Sequence, residues 1–434
     1  MDQILVFTYY WPPSGGSAVQ RWLALSELLP KHGIEPIIVT VDPEYASYVL
    51  TDESLEKRVP TQLKVIKTKS YEILNLYQKI RGKDKLPTGG FANQGKPSFL
   101  QKVERWIRGN FFFPDPRRAW NPHALKAAKT LLRSGSIKAI ITAGPPHSTH
   151  LIGLHLKKRH PNLFWLCDFH DAWTNVWYYA ELMRTKPVRW LDARMELNVL
   201  TECDSIITVG QRLIDDFAKK IGLGQKISLH SMGYDESLFT TQGNVPSHAF
   251  VIAYTGILAS NYNPGAVFKA LASLLGTHPD WKIELHFYGL IAPEIKAQIV
   301  GHGLGHIGHF HGYVPHSESI SALLSSSALL LISPDIPHAD MIIPGKIYEY
   351  MASGRPIIHL GGAHSDTANI LDDCSAGPTF SRTEIHALTQ HLERLYLTWL
   401  QNPDDLIRRS QDHFKYGRDS EAKNLASFLQ SNFT

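Results

Sequence analysis

The chain has 434 residues, 43% of them hydrophobic and 19% charged, with a formal net charge of +4 at neutral pH. That length allows two domains with full cores, the apolar content excludes a disordered chain, and so mild a charge argues against a nucleic-acid partner. Cys167, Cys203 and Cys374 lie far apart without metal or redox spacing. They read as free thiols of a reducing compartment. The start enters a strand at once without a signal-peptide pattern, and no run approaches the roughly 18 apolar residues of a membrane span, so a cytoplasmic protein is expected.

Ile4 to Tyr9 is an apolar run of the buried-strand type. Gly15 and Gly16 follow, then a helical pattern from about Ala18 to His32 and a second strand from Pro36 to Val41. This opens a βαβ unit whose glycine turn lets a ligand approach the backbone. It is not a GxGxxG fingerprint, which disfavours a dinucleotide. Leu63 to Thr68 is a possible strand. From Lys79 to Arg108 eight basic residues face two acidic ones, with Trp106 near the end and Phe111 to Phe113 following. Basic residues beside aromatics suit an anionic membrane surface. The bland alternative is a solvated excursion with its aromatics docked on the core.

A helix is predicted over Ala124 to Arg133 and a strand over Lys138 to Ala143, running into Gly144-Pro145-Pro146-His147 at a ligand-facing turn. The next strand, Leu163 to Asp168, ends in His170 and Asp171. Asp168, His170 and Asp171 are therefore expected at the same sheet edge as Gly16 and His147. A Ser148–His170–Asp171 hydrolase is disfavoured because the G-x-S-x-G elbow is missing. A helix from Val188 to Thr201, a strand from Ser205 to Val209 and a helix to Ile221 complete a Rossmann-like half.

Lys226 to His230 reads as a strand leading to a linker, and a second α/β series begins at Phe250. Its strands are Phe250 to Thr255, Lys282 to Tyr288, Ile307 to His311, Leu329 to Ile332 and Pro356 to Leu360. Two doubly wound domains follow, residues 1–225 and 226–415, with a terminal helix over about 416–434 returning to the first. Between the last two strands, Pro344-Gly345-Lys346-Ile347-Tyr348-Glu349 reads as a loop entering a short helix. There Lys346 offers a cation for phosphate and Glu349, three residues on, a carboxylate for sugar hydroxyls. An ordinary surface Lys–Glu pair is the competing reading. The histidines at 302, 306, 309, 311 and 316 lack an accompanying acid or cysteine cluster and read as structural or exposed, so no metal site is expected.

With these residues in view, the chain resembles the GT-B glycosyltransferases, specifically the family-4 retaining enzymes and their bacterial relatives. The resemblance rests on Pro12-Pro13-Ser14-Gly15-Gly16, Gly144-Pro145-Pro146-His147, Asp168-Phe169-His170-Asp171, Gly233-Tyr234-Asp235 and Gly345-Lys346 through Arg355-Pro356. It implies that Glu349 binds the nucleotide ribose and Lys346 neutralises the diphosphate. Gly15 and Gly16 would pack on the donor, Gly312, Tyr313 and Val314 would meet the nucleobase, and His170 would lie near the reacting centre. From their place at the strand ends, His147, Asp168 and Asp171 are expected on the acceptor side or in the cleft. The family's second acid, eight positions before Glu349, is here Met341, with Asp340 as the neighbouring substitute. The Arg and Lys that many members carry after the first strand of the second domain are missing from Gly256 to Asn261.

The function implied is transfer of a sugar from a nucleotide-diphosphate sugar to a hydroxyl acceptor, with retention and without metal or other cofactor. The acceptor would be a saccharide or a lipid-linked one, in bacterial surface polysaccharide or glycolipid assembly, with attachment to the anionic inner membrane surface. A nucleotide-sugar epimerase of similar build and a non-catalytic nucleotide-binding relative are the rivals.

Overall fold

The computed structural model describes residues 1–48, 50–71, 99–222, 226–241, 243–408 and 410–433. The chain divides into two compact units, Met1–Met232 with Arg418–Thr434, and Gly233–Gly417.

Among the described residues the first unit is built on a seven-stranded sheet in the order β3-β2-β1-β4-β5-β6-β7. Its strands are β1 (Asp2–Thr8), β2 (Ile34–Val41), β3 (Lys64–Thr68), β4 (Ile137–Gly144), β5 (Phe164–Phe169), β6 (Ser205–Thr208) and β7 (Ile227–Leu229). Every neighbouring pair is parallel. Parallel sheets are covered on both faces, which is why β1 and β4 read as unbroken apolar runs instead of alternating ones. Ile4, Val6, Ile38 and Ile141 join Trp22, Leu23 and Leu25 of the helix Ser17–Leu28 in one core. The terminal helix Arg418–Asn432 adds Ala422, Leu425 and Leu429 to the same core. Because β7 pairs with β6, the division falls after Met232 instead of at residue 225.

The strand order reverses between β1 and β4. In such sheets ligands bind beyond the strand C-termini at that reversal. The loops carrying Gly15 and Gly16, His147 and His170 leave the C-terminal ends of β1, β4 and β5, which are adjacent.

Among the described residues the second unit has six strands in the order β10-β9-β8-β11-β12-β13. They are β8 (Phe250–Thr255), β9 (Ile283–Tyr288), β10 (Gly308–Gly312), β11 (Ala328–Ile332), β12 (Ile357–Leu360) and β13 (Thr379–Phe380). Here the reversal lies between β8 and β11. Phe250, Ile252, Leu285 and Leu330 pack with Phe268 and Leu271 of the helix Gly265–Thr277 and with Tyr396 and Trp399 of the helix Ile385–Gln401. Trp281 stacks on Tyr396 at 4.0 Å and 8°. The Gly354-Arg355-Pro356 turn is structural: Arg355 is buried and donates to the carbonyls of Gly243 and Leu324.

Candidate functional site

In the second unit the site is built on the ends of β8, β10 and β11 and on the short helix Lys346–Ala352. Lys346 reaches back to β8, where Nζ donates to the Thr255 carbonyl at 2.5 Å and sits 3.8 Å from the Tyr254 ring centroid. Gly256 makes room for it. A Cβ there would lie 3.2 Å from Nζ, and the glycine φ of +98° is one that other residues rarely adopt. Burial lowers Lys346 from its ordinary value to about 7, with the Glu349 charge opposing. Tyr350, one turn after Lys346, braces the strand end by accepting from the Thr255 N–H at 2.9 Å.

Glu349 turns elsewhere. Its Oε1 accepts from His316 Nε2 at 2.8 Å. His316 opens the helix His316–Leu324, immediately after the turn of Gly312, Tyr313 and Val314 that leaves β10. Gly312 holds a positive φ of +72°, and Tyr313 is 74% exposed. The His316–Glu349 bond therefore ties the helix after the Gly312–Val314 turn to the helix Lys346–Ala352. A carboxylate has about four acceptor positions, so hydroxyls can be taken without losing His316. Asp340 lies on the half-buried turn Ala339–Met341. At the helix start the Ile347 N–H bonds the Pro344 carbonyl at 2.9 Å. The Lys346 ammonium is what this end offers an anion. Arg382 donates to the Tyr262 and Ser333 carbonyls at 3.0 and 2.6 Å, so it is engaged in bracing the loops after β8 and β11.

In the first unit the centre is Asp168, fully buried at the end of β5. It accepts from Trp22 Nε1 at 2.9 Å, from Arg21 Nε at 3.4 Å and from His170 Nε2 at 3.0 Å. Burial alone would raise its pKa; His170, Arg21 and the Trp22 N–H reverse this and hold it well below the usual carboxylate range. Asp168, expected on the acceptor side or in the cleft, has its carboxylate enclosed by these protein donors and holds His170 in place. It fixes the His170 tautomer with the proton on Nε2. His170 Nδ1 is buried with no hydrogen-bond partner, an acceptor ready for a substrate hydroxyl. Gly16 precedes the helix that supplies Arg21 and Trp22. Its φ of +113° and the open space around a would-be Cβ mark a backbone conformation, not a crowded contact, as the reason for glycine. Gly15 N–H bonds the Leu50 carbonyl at 3.0 Å. Asp171 is exposed.

His147 is buried, stacks on Trp173 at 5.2 Å and 8°, and shares a 3.1 Å hydrogen bond with the Ala172 carbonyl through Nε2. Burial pushes it down to about 3 against that hydrogen bond, so it is neutral and donates at Nε2. It lines a cavity of about 130 Å³ with Tyr10, Arg108, Tyr178 and Arg184. These four were missed in the sequence; Arg108 was read only as one of a run of basic residues. Ser148 is fully buried, and its hydroxyl donates to Asp115 at 2.8 Å instead of to His170.

Comparison with known proteins follows this geometry. Residues 249–397 match the family described as Glycosyl transferases group 1. Sucrose-phosphate synthase from Thermosynechococcus elongatus superposes with a TM-score of 0.61 at 15% identity, covering 100% of this chain and 99% of that one. The lipopolysaccharide outer core galactosyltransferase WaaB gives 0.61 at 13% identity, covering 99% and 100%. The Anabaena protein Alr3699/HepE, in complex with UDP and glucose, gives 0.59 at 14%, covering 99% and 100%. Among curated proteins none matches the sequence. At these identities the structural likeness establishes the fold, and the family match adds the activity class. The chain has the GT-B fold, and residues 249–397 of its second unit match the group 1 glycosyl transferases.

Proposed function

We propose that the chain moves a sugar from a nucleoside-diphosphate sugar to a saccharide hydroxyl, with retention and without a metal ion in the transfer step. The observation that carries this reading is the pairing of Lys346 at the end of β8 with Glu349, itself tied through His316 to the helix after the Gly312–Val314 turn. Lys346 would take the diphosphate charge as the glycosidic bond breaks, Glu349 the ribose hydroxyls, and the turn the base. Asp340 would serve as the second acid beside Met341. In the first unit, His170 Nδ1 would accept from a sugar hydroxyl near the reacting carbon, held in register by Asp168. The proline turn before His147 and the cavity beside it would form acceptor contacts, with Asp171 at their exposed margin.

UDP-sugars are the first donors to test, because Alr3699/HepE carries UDP and glucose on the same fold. A thermal-shift screen of nucleoside diphosphates and their sugars reads binding directly, since a ligand of the folded state raises apparent stability. Incubating the best donor with and without saccharide acceptors then separates the rivals. A transferase consumes it in an acceptor-dependent way and leaves its stereochemistry unchanged. An epimerase converts it alone, and a binding relative does neither.

A role in bacterial surface polysaccharide or glycolipid assembly, with a lipid-linked acceptor at the inner membrane, is the second part of the proposal. It is supported by the helix Phe99–Phe111, which exposes Phe99, Val103, Trp106, Ile107 and Phe111. Positions i, i+4, i+7, i+8 and i+12 fall on one helical face, and the exposed Lys102 belongs to the same helix, whereas Arg105 is buried against Glu181. Lys79, Arg81, Lys83 and Lys85, expected to contribute charge, lie outside the described residues. No helix among the described residues is long and apolar enough to cross a membrane.

A further inference from the structure

The histidines near residue 309 look unsupported along the chain because no acid stands among them. The fold supplies one from the neighbouring strand. Glu284 and His286 occupy alternate positions on β9 and so share a face of the sheet. On the edge strand β10, His309 is in register with His286, their rings 4.5 Å apart. One ligand atom from each of Glu284, His286 and His309 falls within 4.8 Å of the others.

From this geometry we infer that Glu284, His286 and His309 bind a divalent transition cation of the zinc type, separate from the sugar-transfer residues, and that the ion clips the edge strand β10 to β9. Two imidazoles and a carboxylate select zinc, cobalt or nickel over magnesium or calcium, which prefer all-oxygen shells. His286 Nε2 and Glu284 Oε2 lie 2.8 Å apart. Tetrahedral ligands about 2.0–2.1 Å from zinc stand roughly 3.3 Å from one another, so small side-chain adjustments seat the ion where a proton now bridges. The other nitrogen of His286, Nδ1, lies 3.0 Å from His311 Nε2 and would donate its proton there once Nε2 ligates the ion. A hydrogen bond at the far ring nitrogen is what orients a ligating imidazole. His311 in turn stacks on Tyr288 at 4.2 Å and 5°. Glu284 and His309 open onto a hollow of about 610 Å³ that His302 and His306 also line, which gives the ion access and leaves a coordination position for water.

The test uses the full chain, freed of metal by chelation and dialysis, with zinc and cobalt as probes. We expect one saturable cobalt site with a visible d–d band, displaced by zinc and unaffected by excess magnesium, together with a higher melting temperature on zinc addition. Glu284→Gln and His309→Ala, both on the sheet surface, are each expected to weaken zinc at least about 10-fold and to abolish the thermal shift. His302→Ala with His306→Ala keeps both. Zinc affinity unchanged in Glu284→Gln and His309→Ala overturns the proposal, as does loss of binding only in the His302/His306 variant, or binding with no thermal shift. Nucleotide binding by the metal-free chain reports the donor site independently, so failure of one reading is distinguishable from failure of the other.

Discussion

Lys346 Nζ lies 3.8 Å from the centre of the Tyr254 ring and also bonds the carbonyl that ends the same strand. A cation held in this way is partly removed from water, which is why its pKa falls to about 7. A diphosphate arriving beside it favours the charged form, so binding above neutral pH draws in a proton. Nucleoside diphosphate affinity is expected to fall between about pH 7 and 9, by at most tenfold per unit. Calorimetry at pH 8 in buffers of different ionisation enthalpy measures the uptake. Lys346→Ala should remove it and cost about 2 kcal/mol in affinity, as for a lost charge-assisted contact. Equal affinity in a folded variant would sink the assignment.

The same lysine shapes stability in the free protein. Its folded pKa lies below its unfolded one, so between about pH 7 and 10.5 the unfolded chain binds more protons and stability from this group rises with pH. Lys346→Met should flatten that part of the pH–stability curve in denaturant titrations. An unaltered slope would mean that the lysine is solvated.

Glu349 holds His316 at 2.8 Å and is expected to hold the ribose as well. Glu349→Gln keeps the shape but removes the ionised acceptor. Both nucleotide affinity and turnover should drop, and His316→Ala should raise the donor KM more than it lowers kcat, since it acts through the carboxylate. Parental rate and half-saturation in Glu349→Gln would reduce that residue to a surface acid.

Asp168 is buried among Arg21, Trp22 and His170, and its folded pKa is depressed. A depressed carboxylate contributes stability above its unfolded value near 3.9 and loses it as pH falls through the folded value. Asp168→Asn leaves Arg21 without its buried partner at β5 and should cost about 3 kcal/mol or more, the range for breaking such a pair. It should also lower kcat with little change in donor affinity, because His170 loses its tautomer control. His170→Asn, which spares the Arg21 pair, should show the kcat loss without the stability loss. A normal kcat in both variants would remove this histidine from the reaction.

Much of this architecture is legible in the sequence because buried parallel strands are short apolar runs between glycine and proline turns. β1, β8 and β11 announce themselves in that way. The Lys346–Glu349 spacing is legible too, since both residues lie on one local helix. Partners that meet across strands are not. Nothing along the chain joins Glu284 to His309, or Asp168 to Arg21 and Trp22, because register is set by the whole sheet. β7 was assigned to the wrong domain because a three-residue strand carries no sign of which sheet it will extend. The two-residue β13 is shorter still and gives no periodic signal. The helix Phe99–Phe111 was obscured because its apolar stripe becomes visible only when the count starts at Phe99, after the proline- and glycine-rich stretch.

Phe99 is 79% and Phe111 68% exposed, with Trp106 packed edge-on to Phe111 at 5.9 Å. Water contact costs a fully exposed large apolar side chain about 1.5–3 kcal/mol relative to full burial, most nearly so for Phe99 and Phe111 and less for the half-buried Val103, Trp106 and Ile107, so a surface that covers this face gains readily. An anionic bilayer fits because aromatic rings settle at headgroup depth, while nearby Lys and Arg contribute about 1 kcal/mol each at the lipid surface. Sedimentation with liposomes of anionic or neutral lipid, at low and high salt, is the measurement. Attachment should need anionic lipid, weaken with salt, and fall when Trp106 and Phe111 are both replaced by Ser. Replacing Lys79, Arg81, Lys83 and Lys85 by Ser should weaken it further by removing charge. Equal recovery in the supernatant under every condition would refute membrane attachment and direct the search to a soluble saccharide acceptor.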